Sequence, residues 1–135
     1  MTQAAETPDT PTLKSAVLAR FVAETRSEDL PEDVVAKAER HILDTIGAGV
    51  AGAVSKEAHL LRAALLEAGE APSGRATLWG EGASMTPLNA ALVNGTAAHA
   101  FELDDTGGCD HSGAVVLPAA AAAVELAAAE GRTVT

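Results

Sequence analysis

From Ala114 to Ala129 the chain is built almost entirely of alanine, valine and leucine. Alanine is the strongest helix former, so the run predicts a long helix, and one that is apolar on all sides has to be covered on all sides. A helix of this kind falls last among the expected elements. Either the chain assembles through it, or these residues are the front part of a larger folded unit. The small side chains carry a second constraint. With no tyrosine, two phenylalanines and one tryptophan, the core has to form by close approach of helices rather than by large side chains filling space.

The rest of the chain reads as helices leading up to that one. Residues 1–10 are polar and without period, the pattern of a disordered tail. Thr10 before Pro11 fits a helix start, and Leu13, Val17, Leu18 and Phe21 recur at helical spacing to about Thr25. Asp29-Leu30-Pro31-Glu32-Asp33 places acids at the positive end of a second helix dipole. That helix continues through Val35, Ala38, Ile42, Leu43, Ile46 and Gly49 to about Val54. Ser55 is the N-cap of a third helix carrying Leu60, Leu61, Ala64 and Leu65 and closing at Gly69. Residues 70–84 turn to glycine, proline, serine and arginine around Ala76-Thr77-Leu78-Trp79, a connector with a short extended piece. Ser84 or Thr86 with Pro87 starts a fourth helix through Leu88, Leu92, Val93 and Ala97. The expected fold is all-α, a bundle-like arrangement of about five helices in one domain over residues 11–135, a size at which one core is sufficient.

Charge narrows the function classes. Nineteen acidic residues against nine basic ones give a formal net charge of -10, which repels nucleic-acid backbones and anionic lipid surfaces. A single cysteine, Cys109, rules out an internal disulfide. The N-terminal stretch lacks the cationic start and apolar core of a signal peptide, and no run of about 18 residues is apolar without charge or glycine. The expected compartment is the cytoplasm.

Several motifs have an ordinary structural explanation. Gly47-Ala48-Gly49-Val50-Ala51-Gly52 spells a dinucleotide-binding glycine pattern, but its approach has helical rather than strand period, and small residues that admit a neighbouring helix account for it. Asn94-Gly95-Thr96 is a glycosylation sequon by spelling only. His41 and His59 stand singly on helices, whereas His99 lies nearer the polar stretch that follows. That stretch, Glu102 to Ser112, holds Glu102, Asp104, Asp105, Thr106, Cys109, Asp110 and His111 among glycines. It is a polar loop between two helix ends. Its side chains are of types that ligate divalent ions, but the spacing matches neither a zinc nor a calcium template, and no metal or cofactor is expected. Crowded carboxylates raise one another's pKa and a histidine titrates near neutrality, the combination that proton transfer requires. Thr106 and Ser112 add neutral donors, and the first N–H groups of the last helix could seat a substrate carboxylate.

NGTAAHAFELDDT, followed by HSGAVVLPA and preceded by HILDTIGAGVAG, resembles the N-terminal half of the MmgE/PrpD family over about residues 12–131. The resemblance implies a mostly helical domain, a smaller lid domain, a cleft between them, and lyase or isomerase chemistry without cofactor or metal beside a carboxylate of a small di- or tricarboxylic acid, as in 2-methylcitrate dehydratase. Carried over by motif, His111 and Asp105 take catalytic positions, and Glu102 and Thr106 bind or orient substrate together with Ser112. Many members have histidine or tryptophan after D-D-T and proline after the later histidine, where this chain has Gly107 and Ser112. Members are also several times as long, and their cationic and tyrosine site residues come from later segments. The residues point to the same deficit: after Arg75 the only basic side chain is Arg132, and an acidic loop alone repels a polycarboxylate. The expectation is a homo-oligomer, or a hetero-oligomer whose other chain supplies the remaining site residues and lid, with the isolated chain a split subunit or a truncated copy. The competing expectation is a catalytically silent helical assembly module.

Overall fold

The computed structural model describes residues 13–105 and 111–134. Five helices account for most of them: α1 Lys14–Glu24, α2 Glu32–Gly52, α3 Lys56–Glu67, α4 Pro87–His99 and α5 Ser112–Ala129. The mostly α architecture agrees with the sequence expectation, and the helix starts follow local chemistry. Glu32 and Asp33 stand in the first turn of α2. The Ser55 hydroxyl accepts from the Ala58 amide at 3.1 Å at the start of α3, and Pro87 opens α4. At the end of α3 Gly69 adopts φ +89°, while the Glu70 amide reaches back to the Leu65 carbonyl at 3.0 Å, closing the helix in the way glycine permits. Pro11 and residues 1–10 lie outside the described residues.

The connector contains the expected extended piece and a second strand beside it. Within it Ala76–Leu78 and Ala83–Met85 form an antiparallel hairpin, β1 and β2, with Ala76 opposite Met85 and Leu78 opposite Ala83. The hairpin is not a surface ornament. Ala76, Leu78 and Met85 join Ala90 and Val93 of α4 and Ala122 of α5 in the buried core. Asn94, 4% exposed, completes β1 from the side: its carboxamide oxygen accepts from the Trp79 amide at 2.9 Å and its nitrogen donates to the Thr77 carbonyl at 2.8 Å. An asparagine committed in this way is closed to glycosylation. Glu125 of α5 accepts from both the amide and the hydroxyl of Thr77, each at 2.8 Å, so the hairpin is bonded to α4 and to α5.

α4 is the central helix, packed against α2, α3, α5 and the hairpin. Its neighbours approach through small residues. A methyl group on Gly52 of α2 would lie on the Ala97 carbonyl of α4, and one on Gly49 would overlap the Trp79 ring. Within the glycine pattern of residues 47–52, Gly52 thus serves helix approach and Gly49 makes room for Trp79, in a helix with no strand before it. α5 crosses α4 at Gly95, where an added methyl would press on the Ala114 carbonyl. That carbonyl belongs to the turn in which Pro118 has no N–H to offer four residues on.

α5 is long and apolar enough, by length and composition, to cross a membrane. Here it packs along α4, and its one acid, Glu125, is bonded to the hairpin. Much of its surface nevertheless faces outward, with Val115 66% and Val116 61% exposed. α1 buries no residue at all.

Candidate active site

Gly95 and His99 are four residues apart and therefore share one face of α4. Ala114 stands three residues after His111. The crossing at Gly95 and Ala114 consequently sets His99, at the end of α4, against His111, at the start of α5. The imidazoles meet edge to face with ring centroids 4.4 Å apart.

Between them lies Asp104. One carboxylate oxygen is 3.0 Å from His99 Nδ1 and the other 2.9 Å from His111 Nδ1, and the residue is only 4% exposed. Burial pushes this carboxyl up. The hydrogen bonds from His99 and His111, with its own backbone amide and the charge of His99, outweigh that effect and hold it below the usual aspartate value. The same hydrogen bond to Asp104 raises His99 above the usual histidine value, against partial desolvation and with help from the charges of Asp104 and Glu102. Glu102 reaches His99 Nε2 at 3.5 Å.

The turn that makes this possible is strained at two points. Glu102 has φ 53° and His111 φ 44°, a left-handed conformation that costs a non-glycine residue about 1–3 kcal/mol. Among the described residues no other non-glycine position has positive φ. Both outliers carry side chains of the cluster.

Asp105 points to the other side of the α5 terminus. It accepts from the Gly113 amide and from the Ser112 hydroxyl, the latter at 3.2 Å, and His41 Nδ1 lies 4.0 Å away. The helix N-terminus is thereby occupied by a carboxylate of the chain itself, a favourable charge at the positive end of the dipole. A methyl on Gly113 would meet Thr45 and Asp105, so glycine is what lets the turn close.

Two grooves flank the start of α5. The larger, about 770 Å³, has His99, Glu102 and His111 in its wall, with Glu57, Leu88, Leu92, Thr96 and Val115 among the rest. The second, about 500 Å³, runs between α2 and α5 past His41, Thr45, Asp105, Ser112 and Gly113. The predicted site residues are therefore divided: Glu102 and His111 share one groove, and Asp105 and Ser112 line the other. Thr106, with Cys109 and Asp110, lies outside the described residues. Sequence reasoning missed the hub, Asp104, and gave no site role to His99. The available signal was spacing, since His99 and Asp104 flank the end of a helix and a single turn folds one onto the other.

A cation could be held by His99, Glu102 and His111, which bring one ligand atom each to within 4.8 Å of one another. Ligand atoms around a zinc ion with bonds of about 2.0–2.1 Å stand closer together than that. Binding would require the three side chains to draw closer together.

Comparison with known proteins places this geometry in context. Residues 16–135 match the MmgE/PrpD N-terminal domain. The chain belongs to the MmgE/PrpD family. It is 31% identical to a cis-aconitate decarboxylase of Aspergillus terreus over 125 residues, which cover 90% of this chain and 25% of that protein. A cis-aconitate decarboxylase-like protein of Aspergillus oryzae is 33% identical over 83% of this chain and 23% of its own length. The cis-aconitate decarboxylase of Homo sapiens is 34% identical over 71% of this chain and 20% of its own. The chain thus spans a quarter or less of these relatives. No solved structure matches it significantly.

Proposed function

We propose that the chain is the helical part of a cofactor-independent lyase or isomerase that moves a proton at the carbon beside a carboxylate of a small di- or tricarboxylic acid. One observation carries the reading: a buried aspartate binds two imidazoles in the wall of an apolar groove. Imidazoles in such a setting exchange protons near neutral pH, and the relatives whose names state a reaction are cis-aconitate decarboxylases. His111 is the acid/base group, and Glu102 with Thr106 orients substrate. Asp105 and Ser112 shape the loop by fixing the first turn of α5. The groove wall contains Glu57 and Glu102 but neither lysine nor arginine, so cations for the substrate carboxylates come from another surface, supplied by a further segment of a longer chain or by a partner in a homo-oligomer or a hetero-oligomer.

The test is turnover of cis-aconitate, citrate and 2-methylcitrate by the chain, alone and together with the protein encoded beside it. The reading expects conversion of one of these acids by a complex, and a loss of roughly 100-fold or more in His111→Ala. Full activity of that variant would remove His111 from the chemistry. No conversion or solvent exchange of any of the acids would favour the second reading, a silent assembly module, which the outward-facing valines of α5 support.

A further inference from the structure

The reading above uses one histidine, whereas the structure ties two to a single carboxylate. We propose that His99 is a second proton-transfer residue, paired with His111 through Asp104 so that one imidazole serves as acid while the other serves as base. The proposal rests on the lyase or isomerase reading for its substrate and on geometry for everything else.

An ionised carboxylate only accepts hydrogen bonds. Asp104 is held ionised and takes one bond on each oxygen, from His99 Nδ1 at 3.0 Å and His111 Nδ1 at 2.9 Å. Each Nδ1 therefore carries its hydrogen, and each ring has only Nε2 left for chemistry. Both rings line the same groove. One buried negative charge balances one extra proton, and two imidazoliums with centroids 4.4 Å apart would repel. The trio accordingly holds a single extra proton, which belongs to the group rather than to one ring. The acids facing His99 are Asp104, on the turn after α4, and Glu102 beside its Nε2, with Glu57 of α3 on the groove wall. They favour His99 as the resting holder of that proton, which leaves His111 as the base.

The proton balance closes within the trio. His111 Nε2 takes the proton from carbon: a C–H bond breaks, an N–H bond forms, and the electron pair stays on the substrate as an enolate. His99 gives up its Nε2 proton to a departing hydroxide, which leaves as water in a dehydration, or to the opposite face of the carbon in an isomerisation. The trio ends with the proton count it began with and the two roles exchanged, to be reset by exchange with solvent.

The deciding measurement is nitrogen-15 NMR of the histidine rings of the full chain across pH, which requires no substrate. The proposal expects both neutral rings as the Nδ1–H tautomer, and protonation of His99 above pH 6.5. It also expects both features to be lost in Asp104→Asn. A neutral Nε2–H tautomer at either ring in the unaltered chain, or the same spectra in Asp104→Asn, would overturn it. If that variant does not fold, His111→Gln decides: a changed His99 titration supports coupling, and an unchanged one refutes it. In the active complex, His99→Gln is expected to lose at least about 100-fold in kcat with little change in KM, and full turnover would exclude the second role. Absence of turnover in the unaltered complex would refute the lyase or isomerase reading while leaving the NMR result untouched, so the two failures are separable.

Discussion

Gly52 and Gly47 occupy the same helix, but alanine should have opposite effects at the two positions. At Gly47 a methyl group would meet nothing within 4 Å, so Gly47→Ala adds only the helix preference of alanine, about 0.4–1 kcal/mol of stability. At Gly52 the methyl would fall on the Ala97 carbonyl of α4. A backbone oxygen cannot swing aside, so α2 and α4 have to separate along a buried seam. Overpacking of this kind costs about 1–3 kcal/mol, and the upper end applies where the obstacle is main chain. Set against the alanine preference, Gly52→Ala should lose about 1–2 kcal/mol, and the two variants should differ by about 2–3 kcal/mol. Urea unfolding measures this directly as a fall in midpoint at constant slope for Gly52→Ala and a rise for Gly47→Ala. Equal or greater stability of Gly52→Ala relative to the unaltered chain would refute the close crossing of α2 and α4, and with it the structural explanation of the glycine pattern.

Two further outcomes test the parts that hold the site in place. Asn94→Ala strands the Trp79 amide and the Thr77 carbonyl, both bonded to Asn94 now. Both bonds are only part-buried, so water offsets some of the about 1–3 kcal/mol that each fully buried unpaired group would cost. The loss should be about 1–3 kcal/mol in the same unfolding experiment, and no loss would show that the carboxamide does not complete β1. The stability difference between the unaltered chain and Asp104→Ala should depend on pH in a fixed sense. The folded state lowers the Asp104 pKa from 3.8, so its contribution is present above 3.8 and fades as pH falls through the lower folded value. It raises the His99 pKa from 6.5, so that contribution is complete below 6.5 and fades as pH rises through the higher folded value. A plateau in the difference between pH 3.8 and 6.5, declining on both sides, is expected. A difference that grows above pH 7 would contradict the bond between the two groups.

The helices were legible because their signals are local. Ser55 caps the helix after it, Pro87 opens the next, and Gly69 closes α3. The hairpin was half legible. Ala76 to Leu78 was seen as extended, but Ala83 to Met85 was not, although Trp79-Gly80-Glu81-Gly82 between two short runs is a hairpin loop of ordinary length with glycine in it. What made the second strand hard to read is that its support is tertiary: it pairs with β1, and Met85 is buried among Ala90, Val93 and Ala122. The site followed the same division. The polar stretch as a whole stood out by composition, and the pairing inside it did not, because the meeting of His99 and His111 depends on where α5 crosses α4 and on two left-handed residues with no glycine to announce them.

The charges around the groove link site and assembly. A substrate with two or three carboxylates would enter a wall that holds Glu57 and Glu102, on a chain with a formal charge of -10. The single extra proton of the histidine trio is already balanced by Asp104. Two of the chain's cations are engaged, since the half-buried Arg62 is paired with Glu81 at 2.7 Å and the exposed Arg132 with Glu130 at 2.8 Å. Like charges brought together in a partly dry cleft repel by several kcal/mol, so under the proposed function carboxylate binding would come from a surface other than the one that moves protons. The groove already meets one requirement of such a division. Its apolar side, formed by Leu88, Leu92 and Val115, is exposed, and a surface bringing lysine or arginine to the substrate would cover those side chains in the same movement that closes the site. Carboxylate recognition and burial of the α4 and α5 apolar faces would then be one event, in which the acidic wall discourages binding until the covering surface is in place.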